Sequence, residues 1–352
     1  MPTINLASKF ATKLDNHFTK QSFLAPWRGK DYDFEGVNSI TVWNLIAAEL
    51  NDYNSTASAN RFGVPSEVED QATTYTLRRK RSFAKTFDIT HVQDQHFIKK
   101  AAAYLKQMWE ERYVPENDKY TATVWANGAG LGVIGSALTK SNVAEALLTG
   151  MAALDDAFIP SENRVIIMRS DVAVKTKLAE ELKNNSGWTD KAIVRGKIAE
   201  VAGAPVISVP KSYLPAGVAF IIKYKNATVD PEKLKLLRAN DNAPGYAGTL
   251  MEGLVRYDSF VLANKADGIY VYAESGMAAT PTITQSENSV TIASSGNTIK
   301  YTTDGSNPKT SSTAQLYSGA IALTANTKIR TYAYKDGLVN SPIASLDATY
   351  GG

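Results

Sequence analysis

Cysteine is absent from this 352-residue sequence. That excludes disulfide staples, thiolate catalysis and Cys-ligated zinc or Fe–S centres. Histidine is nearly absent too, at His17, His91 and His96. His91 and His96 are five positions apart, which does not stack on one helix face, so a helical zinc motif is not expected. No stretch approaches the roughly 18 apolar residues of a membrane-spanning helix. The opening MPTINLASKF has no apolar core of a secretory signal. A membrane is therefore not an expected partner, and synthesis in the cytoplasm is. An excess of either charge is missing as well: 38 Lys and Arg stand against 35 Asp and Glu, leaving +3. That is too little to argue for nucleic-acid or membrane binding by itself. What remains is 44% hydrophobic and 21% charged residues, an ordinary globular composition with length for two domains or one with appendages.

Catalytic patterns are also lacking. Glu110-Glu111, Asp155-Asp156 and Glu180-Glu181 are sequence neighbours in helical segments, so their side chains diverge and read as solvated faces. The segment NGAGLGVIG holds Gly130, Gly132 and Gly135 in a Gly-x-Gly-x-x-Gly pattern. It follows a predicted helix rather than a strand, against a dinucleotide loop. No Gly-x-Ser-x-Gly, phosphate-loop lysine or His-Glu-x-x-His occurs. No catalytic, cofactor-binding or metal-ligating residue is assigned, and the chain is read as a non-enzyme.

The character of the chain changes near Gly276. ESGMAATP is a small-residue stretch ending in proline, read as a linker at 276–279. Beyond it, Ser and Thr become frequent and charges thin out. Short β-rich runs (PTIT, SVTI, TIKYTT, AIAL, KIRTYAY, IASLDATY) recur between turn signals, the pattern of a small β-sandwich. Ile299, Tyr301 and Thr303 are expected to share a strand face. Asp304-Gly305 and Asp336-Gly337 are turn pairs, since glycine accepts positive φ without steric cost, and Pro308 stops the ladder. The run YTTDGSNPKTSSTAQLYSGAIAL with TKIRTYAYKDG resembles the chitobiase/β-hexosaminidase C-terminal, Ig-like domain family. Tyr301 to Gly305, Pro308, Tyr317, Gly319, Ala333, Tyr334, Asp336 and Gly337 carry the likeness. The resemblance implies an accessory module for display or surface contact, with host-surface glycans as the ligand class.

Residues 1–30 read as a basic arm, with Lys9, Lys13, Lys20, Arg28 and Lys30 against Asp15 alone. GVNSITVWNL and TYTLRRKRSFAKTFDI read as two strands. In the second, Tyr75, Leu77, Phe83, Phe87 and Ile89 fall on one face by period two. The polar loop between them has no core of its own. A two-stranded hairpin is marginal alone, so the hairpin is expected to lie on another subunit. The basic run Arg78, Arg79, Lys80 and Arg81 reads as a solvated or salt-bridged face, or as a subunit contact pairing with Glu67, Glu69 and Asp70. From Val92, Ile98, Ala101, Leu105, Met108 and Trp109 follow helical spacing, resumed at Tyr120, Val124 and Trp125 and closed at Asn127-Gly128. Such a helix is about 50 Å long, and Pro115 is expected to kink or break it by disfavouring helix at Val114. Ser141 and Ser170 are expected to cap two later helices, around the buried strand RVIIMR. AIVRGKIAEVAGAPVISVP reads as a β-hairpin return carrying Gly196 and Gly203.

The order of these parts resembles the tailed-phage major capsid proteins of the HK97-type fold. The likeness rests on YDFEGVNSITVWNL, NRFGVPSEVEDQ, RSFAKTFDI, VPENDKY, RVIIMRSDVAVKTKL and VRGKIAEVAGAPVI in this order. It implies an α+β fold with an N-terminal arm (1–30), an extended loop hairpin (31–90), a spine helix (91–129), an axial domain (130–250), return strands (251–275), the linker and an Ig-like domain (280–352). It further implies a shell-forming virion protein in hexamers and pentamers. A separate scaffolding protein, a portal and genomic double-stranded DNA, met by non-specific inner-surface contact, are its expected partners. The chain is expected to be too short for a cleavable scaffolding segment. Residues 51–70 hold no lysine, against a lysine–asparagine crosslink from the loop tip. The rival readings are a secreted carbohydrate-binding or carbohydrate-active protein, and a tail or baseplate protein.

Overall fold

The computed structural model describes residues 22–32, 38–45, 52–56, 59–62, 64, 67–68, 70–88, 101–179, 198–240, 245 and 247–351. Most of the arm, the helix register before Ala101 and the stretch around Gly196 lie outside them.

The first strands are β1 (Ser39–Leu45), β2 (Asp70–Thr76) and β3 (Arg79–Asp88). β1 and β2 form an antiparallel hairpin from Ser39↔Thr76 to Leu45↔Asp70. The sequence suggested one strand from Tyr75 to Ile89, and the structure divides it. At Leu77-Arg78 the chain leaves the hairpin, and β3 joins a different sheet. Leu77 is buried, and the Arg78 amide donates to Asp258 Oδ2 at 2.8 Å. That side chain satisfies a donor the strand ladder would otherwise need, so the register breaks there.

Helix α1 (Ala101–Met108), a π turn (Trp109–Tyr113) and helix α2 (Val114–Gly128) run on without a break. Pro115 acts differently from the expectation. Val114 keeps helical dihedrals (φ −58°, ψ −51°), and its N–H bonds to Trp109 O, five residues back. Proline lacks an N–H and crowds the carbonyl four residues earlier. The π turn sits over that position and takes up the mismatch inside the helix.

Next come β4 (Leu131–Ile134), α3 (Val143–Asp156), β5 (Arg164–Arg169), α4 (Ser170–Leu178), β6 (Ile198–Val201), β7 (Ala204–Val209) and β8 (Val218–Tyr224). The expected serine caps are not formed. Asn142 precedes α3, where its Oδ1 accepts from the Thr139 amide at 2.6 Å, and Arg169 precedes α4. β6 and β7 are the expected hairpin return, turning at Ala202-Gly203 with both residues at positive φ.

The last strands of the body are β9 (Thr228–Val229), β10 (Glu232–Asn240), β11 (Gly248–Tyr257), β12 (Phe260–Val261) and β13 (Ile269–Ala273). A six-stranded mixed sheet runs β4-β13-β8-β5-β7-β6. Alternation sorts its side chains between two cores. Ile166, Met168, Phe220, Ile222, Tyr270 and Tyr272 pack under α3 and α4. Val165, Ile167, Val218, Ile221, Ile269 and Val271 pack under α2 with Trp125 and Leu24. Burial on both faces is why RVIIMR and VAFIIKY read as continuous apolar runs. A second sheet, β10-β11-β3, lies along α1, with Phe87 against Tyr104 at 5.6 Å.

The C-terminal module comprises β14 (Thr282–Ser286), β15 (Ser289–Ala293), β16 (Thr298–Thr302), β17 (Gln315–Leu316), β18 (Ile321–Ala322), β19 (Thr327–Tyr334) and β20 (Ala344–Ala348). Sheets β14-β15-β18 and β17-β16-β19-β20 enclose Val290, Ile292, Ile299, Ile329 and Ala333, the sandwich the alternation implied. Thr303 leaves the face of Ile299 and Tyr301 and is exposed; Thr302 is buried instead and donates to Ser306 O at 2.8 Å. The segment read as a linker is not free. Met277 and Ala278 are buried, and the Gly276–Ala278 backbone bonds to Val339 on both sides.

Candidate assembly interface

The β1–β2 hairpin is packed on the body at its base, and Asn264 Nδ2 donates to Asn44 Oδ1 at 3.1 Å farther along β1. Tyr75 and Leu77 pack with Val229 and Leu262, and Tyr75 Oη accepts from the Ala263 amide at 2.9 Å. Farther out, large apolar side chains face solvent: Trp43 is 65% exposed, Phe62 84% and Val64 79%. Tyr53 and Phe62 pack at 5.0 Å, and the Asn54 amide donates to Arg61 O, so the two flanks of the tip are held to each other. Scattered exposed apolar residues are normal, but several on one projecting element mark an interaction surface. Composition hid this feature, because the same loop carries Glu49, Asp52, Glu67 and Glu69 against Arg61 and reads as polar overall.

Two members of the basic run, Arg79 and Arg81, meet one acid within the subunit. Arg79 Nη2 lies 2.9 Å and Arg81 Nε 2.5 Å from Glu116 Oε1 on α2. Arg79 also covers the Tyr120 ring at 4.2 Å and donates to Tyr257 Oη at 3.3 Å. Desolvation opposes the Glu116 charge, but Arg79 and Arg81 outweigh it and hold the carboxyl below its ordinary range. Arg78, Lys80, Glu67 and Asp70 present exposed side chains, and Glu69 lies outside the described residues.

Four acids that the sequence reading passed over organise the body. Asp118 accepts from Ser22 Oγ, the Phe23 amide and Arg28 Nη2 at 2.6, 2.9 and 2.9 Å, anchoring the root of the arm. Burial raises its carboxyl above the ordinary value, with Ser22 and Arg28 pulling back. Asp230 accepts from the Gly29 amide, Trp125 Nε1, Thr228 Oγ1 and Ser259 Oγ. Asp258 accepts from the Arg78 amide and Tyr120 Oη, and Glu232 from Tyr113 Oη. Lys223 is fully buried, donates to Trp27 O and Lys225 O, and lies 4.1 Å above the Trp125 ring. Desolvation pushes its ammonium down to about 8, with Asp230 opposing. The signal for one of these acids was VPENDKY, where Asp118 follows Pro115 and Glu116 near the start of α2.

On the module, Asp304 and Gly305 form the expected turn. Gly305 has φ +69° and its N–H bonds to Lys328 O, while Asp304 accepts from Ser306 and Thr313. Burial disfavours the Asp304 charge, but those donors prevail and lower its pKa. Asp336-Gly337 is a turn with φ +81° at Gly337, closed by the Leu338 amide on Lys335 O.

Among the described residues no group of three or more His, Asp or Glu could hold a metal ion. Nor is any of their helices long and apolar enough to cross a membrane.

Residues 279–345 match the family model for the chitobiase/β-hexosaminidase C-terminal domain. No curated protein sequence matches the chain. A chain from Mycobacterium phage Che8 superposes with a TM-score of 0.65 at 15% identity, covering 77% of this chain and 98% of that one. The capsid structure of cyanophage P-SCSP1u gives 0.64 at 14%, covering 76% and 93%. The capsid of an empty GTA particle gives 0.53 at 14%, covering 76% and 95%. About three quarters of this chain thus has the HK97-like fold of phage capsid chains, and a C-terminal β-sandwich of the chitobiase/β-hexosaminidase C-terminal type follows it.

Proposed function

We propose that this chain is a major capsid protein that self-assembles into the icosahedral head enclosing a phage genome. The observation that carries the reading is the projecting hairpin. Its Trp43, Phe62 and Val64 are left largely exposed within one subunit, in a chain whose fold matches phage capsid chains. A second copy is the partner that fits. Along α1 and the edge strand β10, Lys106, Trp109, Lys235 and Leu237 line a cleft that is apolar and basic. The hairpin loop is apolar and acidic, so the two surfaces are complementary in charge. The exposed Arg78, Lys80, Glu67 and Asp70 belong to the same contact on this reading.

The proposal takes the arm, loop hairpin, spine, axial and return segments as the capsid resemblance implies them, with β3, β10 and β11 joined in one sheet across those divisions. Hexamers and pentamers, a separate scaffolding protein, a portal, and non-specific contact of the inner surface with double-stranded DNA complete the proposal. The protein then resides in the virion head after synthesis in the host cytoplasm, and its role is structural rather than catalytic. Host-surface glycans as ligands of the module rest on the module's family alone. Electron microscopy of the purified protein tests the reading: shells are expected from the parent. Deleting residues 54–64 is expected to leave soluble subunits that form none. Normal shells from the deletion would overturn the role of the hairpin, and a parent that stays monomeric would overturn the function.

A further inference from the structure

A helix leaves its last carbonyls without intrahelical partners, and a buried helix end needs donors from elsewhere. Helix α2 ends at Gly128, close enough to Val261 that a Cβ there would sit 2.3 Å from its side chain. Its own neighbours do little to close it, since only the Ala129 amide turns back, to Ala126 O at 3.4 Å. The remaining donors come from the C-terminal module. Lys309 Nζ reaches Asn127 O at 2.9 Å and Ala129 O at 2.6 Å. Asn340 donates its amide to Asn127 Oδ1 at 3.0 Å and its side chain to Asn127 O at 3.4 Å, from 213 positions away.

The grip extends to the segment after the helix. The Ile343 amide donates to Gly130 O, and a Cβ at Gly132 in β4 would sit 3.2 Å from Pro342. Asn307 Nδ2 donates to Ala263 O at 2.9 Å, and Arg330 lies 3.4 Å from Asp267, so the module also holds the 3-10 turn Ala263–Gly268. That turn leads into β13, and the α2 end leads into β4. β4 and β13 are neighbours in the six-stranded sheet.

We infer that the C-terminal module is an intramolecular clamp. It supplies the C-terminal cap of the long helix and fixes that helix to the edge of the central sheet. The outer face of its four-stranded sheet, with Arg330 and Tyr332, is turned toward the body for this purpose; the Tyr332 ring lies 5.6 Å from Lys309 Nζ. The clamp stands whether or not the subunit forms shells, because every contact lies within one chain.

The test is hydrogen–deuterium exchange on the unassembled subunit, comparing the parent with Lys309→Met, Asn340→Ala and the double variant. Lys309→Met takes the donor from the buried Ala129 carbonyl, Asn340→Ala removes one of two donors to Asn127 O, and the double variant removes both. Amides of residues 126–134 are expected to exchange about tenfold faster or more in the double variant. Strands β15 and β19, inside the sandwich, are expected to keep the parent's rates. Unchanged exchange at 126–134 in the double variant would overturn the clamp. So would a loss of protection spread evenly over body and module in both single variants, which would mean general unfolding rather than a released helix end.

Discussion

Replacing Asp118 with alanine is expected to be among the most damaging changes to the body. The Asp118 side chain is 0% exposed and its partner Arg28 is 12% exposed. Removing the carboxylate leaves the guanidinium buried with no counter-charge, and leaves Ser22 Oγ and the Phe23 amide without their acceptor. Breaking a buried pair by deleting one partner costs about 3–5 kcal/mol. For a body of this size each kcal/mol moves the melting midpoint by about 2–4 °C. The variant should therefore melt roughly 6–20 °C below the parent. Asp118→Asn is the informative companion. It preserves volume and one acceptor but turns an N–H₂ toward an incoming donor, so it should recover less than half of the loss. Calorimetry gives the midpoint. Limited proteolysis locates the damage, with new cleavage expected around residues 22–30 as the root of the arm detaches from α2. An Asp118→Ala midpoint within about 2 °C of the parent would refute the reasoning, because it would mean that the ion pair and its three hydrogen bonds do not hold the arm root.

Other changes probe other parts. Gly29→Ala places a Cβ 1.6 Å from the backbone oxygen of Thr228, which cannot move aside, so a loss of about 3 kcal/mol or more in urea unfolding is expected; a parent-like midpoint would contradict it. Phe62→Ser and Trp43→Ser should leave the subunit's melting unchanged within about 0.5 kcal/mol, since both side chains are exposed, while lowering shell yield in sedimentation; unchanged yield from the double variant counts against the hairpin contact. Desolvation pushes Lys309 down to about 7 from 10.5, with Asp267 opposing and the carbonyls of Asn127 and Ala129 favouring the cation; Arg330 is the other charge at this turn, paired with Asp267. Below about pH 7 the amine is charged in both folded and unfolded states. Between about 7 and 10.5 the unfolded state binds more protons, so this contribution to stability increases with pH. The melting difference between parent and Lys309→Met should therefore shift in the parent's favour from pH 6.5 to 9.5, and a constant difference would refute the assignment.

The order of elements was legible because it depends on local pattern. RVIIMR and VAFIIKY are apolar on both faces, and the module's turn pairs carry their own conformational signal. Division of the second strand at Leu77-Arg78 was not legible, because the cause is Asp258, a carboxylate 180 positions later. The same limit explains the proline. Its missing N–H was visible, but the π turn that absorbs the mismatch also depends on the packing of Trp109 and Tyr113, whose rings lie 4.1 Å apart. Arg79 and Arg81 were expected either on a salt-bridged face or against acids of the loop. Their charge was legible, but their partner Glu116 sits on another element. The docking of the module was hidden for a further reason. Gly276, Ala278 and Ala279 look like a flexible tether by composition, yet small residues are also what a close backbone contact needs. A Cβ at Gly276 would sit 2.3 Å from Ala216 O.

The pairing of β3 with β11 has a consequence in time. Arg79 meets Tyr257 across 178 positions, and β4 likewise waits for β13. At synthesis rates of about 5–20 residues per second, β3 is made roughly ten to thirty-five seconds before the strand it needs. Until then, the base of the hairpin has no finished sheet to stand on. Contacts so distant in sequence also slow folding once the chain is complete. A nascent chain therefore cannot present a correctly mounted hairpin to its neighbours on the same ribosome queue. The competence to associate arrives late, with the last third of the polypeptide, and until then the unpaired edge of β3 is the exposed surface the nascent chain has to keep from other strands.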